Sequence, residues 1–202
     1  MRIVNTLILV LCLNTLTFAG EGLAFKWMEG NKNVGELKIT EVKSQETITY
    51  HYVSEMVVNY GEEITIKEEM KAIYPVALKD SLLYTISYLE ATRSFNAKPR
   101  INVKEEMKGE KWVRIVNGKE KEIERAQDVF CYMFLFKKPP VNVTSVYSEL
   151  YGMHFEVVDK GNNHYLIKGA KNRQHSFAYD DKGNLIKAQI SLSSGTYTLL
   201  PK

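Results

Sequence analysis

The chain has 202 residues, 45% of them hydrophobic and 25% charged, with 27 Lys and Arg against 24 Asp and Glu for a formal net charge of +3. That length can bury one core, and the near balance of charge excludes a dominant basic surface for nucleic acid or anionic lipid. Two cysteines, Cys12 and Cys131, are too few for a disulfide-stapled framework.

Met1-Arg2 is a short positive start, Ile3 to Leu16 is mostly apolar, and Thr17-Phe18-Ala19 leads into Gly20-Glu21. A positive start, an apolar stretch and a small residue at its end describe a secretory signal peptide, residues 1–19, cleaved after Ala19. The run is interrupted by Asn5, Thr6 and Asn14 and is shorter than the roughly 20 apolar residues of a spanning helix. An uncleaved anchor is the alternative. Cys12 follows Leu11 in the middle of the run, not a small residue at its end, which argues against lipid anchoring. Residues 20–202 are then expected as one domain outside the cytoplasm. Loss of Arg2 leaves 26 basic against 24 acidic residues, a net charge of +2. Cys131 alone remains and forms no internal disulfide.

The rest of the chain alternates. Ile48, Tyr50 and Tyr52 face one way and Thr47, Thr49 and His51 the other; Ile64 and Ile66 alternate with Thr65 and Lys67; Leu82, Tyr84, Ile86 and Tyr88 alternate with Thr85 and Ser87. This is the signature of antiparallel strands with one face on a core and one in water. Lys104 to Arg125 mixes lysine with glutamate and is expected to be a solvated surface of both signs. Asn117-Gly118 between Trp112–Val116 and Lys119–Ile123 marks a hairpin, since a type I′ turn needs positive φ at both central residues; Trp112 then faces Ile123. Gly61, Gly109, Gly161 and Gly183 mark further turns. Such regular strands predict an all-β sheet that curls or closes.

The stretch "ERAQDVFCYMFLFKKPP" breaks the alternation. Val129, Phe130, Met133 and Phe134 fall at helical spacing, Asp128 suits an early turn, and Pro139-Pro140 ends it. A short helix or helical turn running into a strand is expected, with a buried strand as the rival. Either plugs the sheet, with Cys131 as a small buried hydrophobe. Asn142-Val143-Thr144 fits a glycosylation sequon, which matters only in a eukaryotic secretory pathway.

Tyr151 to Leu192 holds three of the four histidines. Pairing Val157 with Tyr165 and Phe155 with Ile167 across Lys160-Gly161-Asn162 puts the apolar residues on one face. His164 then lies opposite Val158, roughly 13 Å from His154 at about 3.3 Å per residue, too far for one metal. Across Asp181-Lys182-Gly183-Asn184, Phe177 meets Ala188, Tyr179 meets Ile186, and His175 faces Ile190, half-buried and satisfied by a hydrogen bond. Structural histidines are therefore expected, with long-range pairing to His51 left open. Glu68-Glu69 and Glu105-Glu106 split across strand faces, Asp180-Asp181 suits a turn, and Tyr147 and Ser148 have no neighbouring base in sequence. There is no G-x-S-x-G elbow, H-E-x-x-H helix, glycine-rich phosphate loop or paired-cysteine motif.

The order "FKWMEGNKNVGELKITEV", "SLLYTISYLEATRSFN", "EKWVRIVNGKE", "FLFKKPP", "SVYSELYGMHFEVV", "HYLIKG" and "FAYDDKGNLIKAQI" resembles an exported bacterial family, domain of unknown function 6134. The most specific parts are Phe134–Pro139, the step from Ser148-Glu149 to Gly152, and the Phe177–Leu185 hairpin. The family carries no established activity. The architecture is also similar to open-barrel envelope proteins of the lipoprotein-carrier type. This implies a strongly curved antiparallel sheet forming an open or half barrel around a helical, aromatic plug (Val129 to Phe136) that can shelter an acyl chain. It also implies the periplasm or exterior of a Gram-negative-type cell as the location. Candidate lining residues are Tyr50, Tyr52, Tyr84, Ile86, Tyr88, Phe130 and Phe134. The expected role is a non-enzymatic envelope binding protein for an apolar small molecule or a protein segment, without cofactor, metal or nucleic acid. An interaction module joining envelope proteins through sheet edges, and an enzyme built on His51, His164 or His175, are the alternatives.

Overall fold

The computed structural model describes residues 18–19, 22–75, 87–123, 131–140, 142–169 and 173–202. Its strands are β1 (Phe18–Ala19), β2 (Leu23–Glu29), β3 (Lys32–Lys43), β4 (Thr47–Asn59), β5 (Glu63–Pro75), β6 (Tyr88–Phe95), β7 (Lys98–Lys108), β8 (Lys111–Val116) and β9 (Lys119–Ile123), followed by β10 (Ser145–Ser148), β11 (Met153–Gly161), β12 (His164–Lys168), β13 (Gln174–Tyr179), β14 (Leu185–Leu192) and β15 (Gly195–Pro201). Fourteen of them form one antiparallel sheet in the order β10-β11-β12-β13-β14-β15-β2-β3-β4-β5-β6-β7-β8-β9, and β1 pairs with the end of β3. The last strand, β15, pairs with β2 in mid-sheet. Both edges, β9 and β10, come from the middle of the chain. The sheet is curved and open, as the alternation predicts. No helix among the described residues is long and apolar enough to cross a membrane.

The plug occupies the concave face. Cys131–Leu135 forms a single 3₁₀ turn with Met133, Phe134 and Leu135 buried. No strand follows directly; the chain runs irregularly through Pro139 and Pro140 to β10. Phe134 packs on Tyr165 and Phe177, while Tyr132 and Phe136 pack on Tyr52. The plug thus bridges β4 to β12 and β13. Tyr179 fixes it by donating a 2.6 Å hydrogen bond to the Phe134 carbonyl, and Lys138 N–H donates to the Gly183 carbonyl at 3.1 Å.

Register follows the turns. Asn117 and Gly118 have φ of 49° and 81°, and Trp112 pairs with Ile123 as expected. Two pairings differ. The β11–β12 turn is centred on Asn162-Asn163, both at positive φ, so Val157 pairs with Ile167 and Asp159 with Tyr165, two residues from the expected register. Parity is kept, so the same side chains still face inward; His164 now stands opposite Gly161. On β13, His175 pairs with Ile190 and Phe177 with Ala188 as expected, but an irregularity after Ala178 pairs Tyr179 with Leu185 and turns Ile186 out to solvent. The Lys104–Arg125 stretch is also less solvated than expected, since Glu105 and Arg114 within it are buried.

Candidate functional site

Cross-strand rows explain what the concave face holds. Tyr50, Ala72, Leu89, Glu105 and Arg114 form one row; Tyr52, Met70, Ala91, Val103 and Val116 form the next. Then come Ser54, Glu68 and Arg93, and beyond them Met56, Ile66 and Phe95. The plug covers the Tyr50 and Tyr52 rows. Beyond it, toward the β4–β5 turn, the sheet surrounds a cavity of about 530 Å³.

The cavity walls come from both arms of the sheet and from the plug. Trp27, Leu37, Met56 and Ile66 form one side, Phe155, Ile167 and Phe177 the other, and Leu135 and Tyr132 the plug end. Gly35 opposite Trp27 and Met56 permits this close packing, since a Cβ there would lie 2.1 Å from the Glu55 carbonyl oxygen. Trp27 Nε1 donates to Ser54 Oγ at 2.9 Å, which satisfies both buried polar groups. The exposed lining residues Tyr60, Tyr151 and Ser193 lie at hairpin ends and mark the mouth, with half-buried Arg173 and Leu192 at the same end of the sheet. There the Tyr60 hydroxyl and Ser193 Oγ are 2.7 Å apart.

Of the candidate lining residues, Tyr50 and Tyr52 face inward but pack edge-on and tilted against Tyr74, Tyr132 and Phe136, away from the cavity walls. Phe134 is the fully buried residue of the plug itself and does not line the cavity. Tyr88 points to the outer face, where its hydroxyl donates to Glu90 at 3.0 Å and Lys71 and Lys104 approach its ring. Burial and that hydrogen bond push its phenol up to about 12. Tyr84, Ile86 and Phe130 lie outside the described residues.

Two polar clusters tie the β5–β8 arm of the sheet to the segment around β10 and to the plug. On the first, Arg114 of β8 pairs with Glu105 of β7, while its guanidinium also donates to the carbonyls of Glu149 at 2.9 Å and Leu150 at 2.8 Å. Tyr147 of β10 donates to Glu105 at 2.8 Å. Gly152, with φ of 65°, turns the chain around this guanidinium; a Cβ there would lie 2.6 Å from Arg114 Nε. On the second, Arg93 pairs with Glu68 and donates to the Tyr151 hydroxyl at 3.3 Å, and Tyr132 donates to Glu68 at 3.2 Å. Burial is the largest single influence on Arg93 and opposes its charge, but Glu68, Tyr132 and Tyr151 together outweigh it and hold the guanidinium protonated. Burial, reinforced by Glu68, keeps the Tyr132 phenol neutral.

The histidines do not converge. His51 shares the outward parity of Val53 and Glu55, and His164 is exposed. His154 lies at the β10 edge with its ring 5.3 Å from that of Tyr147. His175 alone lines the cavity, in the inward row Val157, Ile167, His175, Ile190 and Tyr197. Its Nδ1 accepts the Ser191 N–H at 3.2 Å. Burial, and then the charge of Arg173, lower its pKa. Among the described residues no group of three or more His, Cys, Asp or Glu is placed to hold a metal. Cys131, half-buried, lines the plug end; burial, then Glu149, push its thiol well up.

Comparison with protein-family models, with curated proteins and with solved structures finds no match to this chain.

Proposed function

We propose that the chain is an exported, non-enzymatic cell-envelope binding protein that holds an apolar ligand on the concave face of its sheet. The observation that carries this is the cavity of about 530 Å³, walled by apolar side chains from both arms of the sheet and by the plug. That volume lies within the range of about 300–1,000 Å³ of small-molecule sites, and a few polar groups among apolar walls is their usual chemistry. The resemblance to the exported family described by domain of unknown function 6134 belongs to the same proposal. Two of the stretches that carry it meet in space, since Phe134 packs on Phe177 and Lys138 bonds to Gly183, while the third, the Ser148–Gly152 step, wraps Arg114. Joining partners through a sheet edge is the weaker reading, because edge strand β9 exposes Lys119, Glu120, Lys121 and Glu122, and charged edge strands resist pairing.

The test is native mass spectrometry of residues Gly20 to Lys202 purified from its own envelope, followed by organic extraction. A near-stoichiometric apolar molecule is the expected result, and Ile190→Trp, which fills the cavity from β14, should lose it without losing the fold. A clean mass with an empty extract would overturn the proposal.

A further inference from the structure

The mouth of the cavity is chemically unlike its walls, and the difference has one sign. Arg173 lies there half-buried, and among the described residues it makes no ion pair. The other arginine on the cavity, Arg93, is already neutralised by Glu68. His175, Tyr60 and Ser193 line the same cavity, and Arg173 lies near enough for its charge to act on His175 and Tyr60. Because His175 Nδ1 accepts the Ser191 N–H, the neutral ring carries its proton on Nε2, so the nitrogen left over is a donor. The Tyr60 and Ser193 hydroxyls share one proton in their mutual hydrogen bond, which leaves one more proton able to be donated. A half-buried cation that has no acid on it among the described residues, at the rim of an apolar chamber that also offers donors, is complementary to an anion.

Resting on the binding reading above, we propose that the cavity takes a single-chain amphiphile with an anionic head, the tail among the apolar walls and the head against Arg173 at the mouth. Carboxylate and phosphate heads share this chemistry. The electrostatics agree. Burial first, and then Arg173, lower the pKa of His175. At Tyr60 burial acts upward but is outweighed by hydrogen bonds from Ser193 and Ser194 together with the charge of Arg173. Among the described residues Arg173 is the one charge acting on both groups.

The experiment is calorimetric titration of delipidated protein with four twelve-carbon probes below their micelle concentrations: dodecanoate, dodecyl phosphate, dodecanol and dodecyltrimethylammonium. The anions should bind about 10- to 100-fold more tightly than dodecanol, the scale of a hydrogen bond to a charged group, and the cation most weakly. Comparing dodecanoate with dodecyl phosphate tells which head is preferred. Arg173→Gln should bring the anions down to the affinity of dodecanol while leaving dodecanol and the urea midpoint unchanged, and Arg173→Lys should restore part of the preference. Tyr60→Phe, a milder change, should weaken the anions alone. Equal affinity for anion, alcohol and cation would overturn this inference and leave the binding reading standing. Failure of all four probes, dodecanol included, would overturn the binding reading itself.

Discussion

Replacing Arg114 with Met should be among the most damaging substitutions in the chain. Glu105 is fully buried and Arg114 is 8% exposed, so removing the cation leaves a carboxylate in the interior with the Tyr147 hydroxyl still donating to it. Breaking a buried pair from one side costs about 3–5 kcal/mol. For a chain of this size each kcal/mol moves Tm by about 2–4 °C, so the drop should be about 6–20 °C. Equilibrium urea unfolding gives the free energy directly. The control is the double variant Arg114→Met with Glu105→Leu, which removes the stranded charge. It should be more stable than Arg114→Met alone but still below wild type, because the carbonyls of Glu149 and Leu150 lose their donor. A cost below about 1 kcal/mol for Arg114→Met is the scale of an exposed pair, and it would refute the claim that a buried pair here ties β7 and β8 to the segment after β10.

Three further outcomes are expected. Gly152→Ala should destabilise by more than the roughly 1–2 kcal/mol of a left-handed backbone alone, since the new Cβ meets Arg114; the excess should vanish in an Arg114→Met background, read by urea unfolding. Tyr179→Phe should cost about 1–3 kcal/mol by leaving the buried Phe134 carbonyl without its donor, read as a lower urea midpoint with unchanged slope. His175 titrates below its ordinary value of 6.5 in the folded chain because it is buried, with Arg173 adding to the effect. The unfolded chain therefore binds the extra proton first as pH falls. This contribution is intact above about pH 6.5 and is lost progressively as pH drops toward the folded pKa. Stability measured against pH should fall through that window in wild type and flatten in His175→Gln.

The fold was largely legible because the local signals act at short range. Alternation marks the inward face of β4 and β5, and Asn117-Gly118 sets the β8–β9 pairing through its backbone alone. Where the register differed, the turn was ambiguous in sequence. Lys160-Gly161-Asn162-Asn163 offers several residues that tolerate positive φ, and the structure uses Asn162-Asn163 with Gly161 as an irregularity in the strand. A shift by two preserves which side chains face inward, so the apolar pattern could not choose between the two registers.

The site was less legible, and the reason lies in which positions the eye follows. Tyr50 and Tyr52 have the right parity for a cavity wall, but parity fixes a face and not a height along the strand. They stand in the rows that the plug covers, and the walls belong to the next rows toward the turn. The missed residues did leave a trace in the sequence. Glu68 shares the phase of Ile66 and Met70, Arg93 that of Leu89 and Ala91, and Glu105 that of Ile101 and Val103; His175, which the sequence already places opposite Ile190 and half-buried, shares that of Phe177. A charged or titratable side chain in an apolar phase must find a partner or stay neutral once buried. Glu68 finds Arg93, Glu105 finds Arg114, and His175 is held neutral. What the phase cannot give is the pairing, because Glu68 and Arg93, like Glu105 and Arg114, meet only after β5 to β8 are laid side by side. Arg173 has no phase at all, since it precedes β13, and its place at the mouth exists only once the sheet has curled.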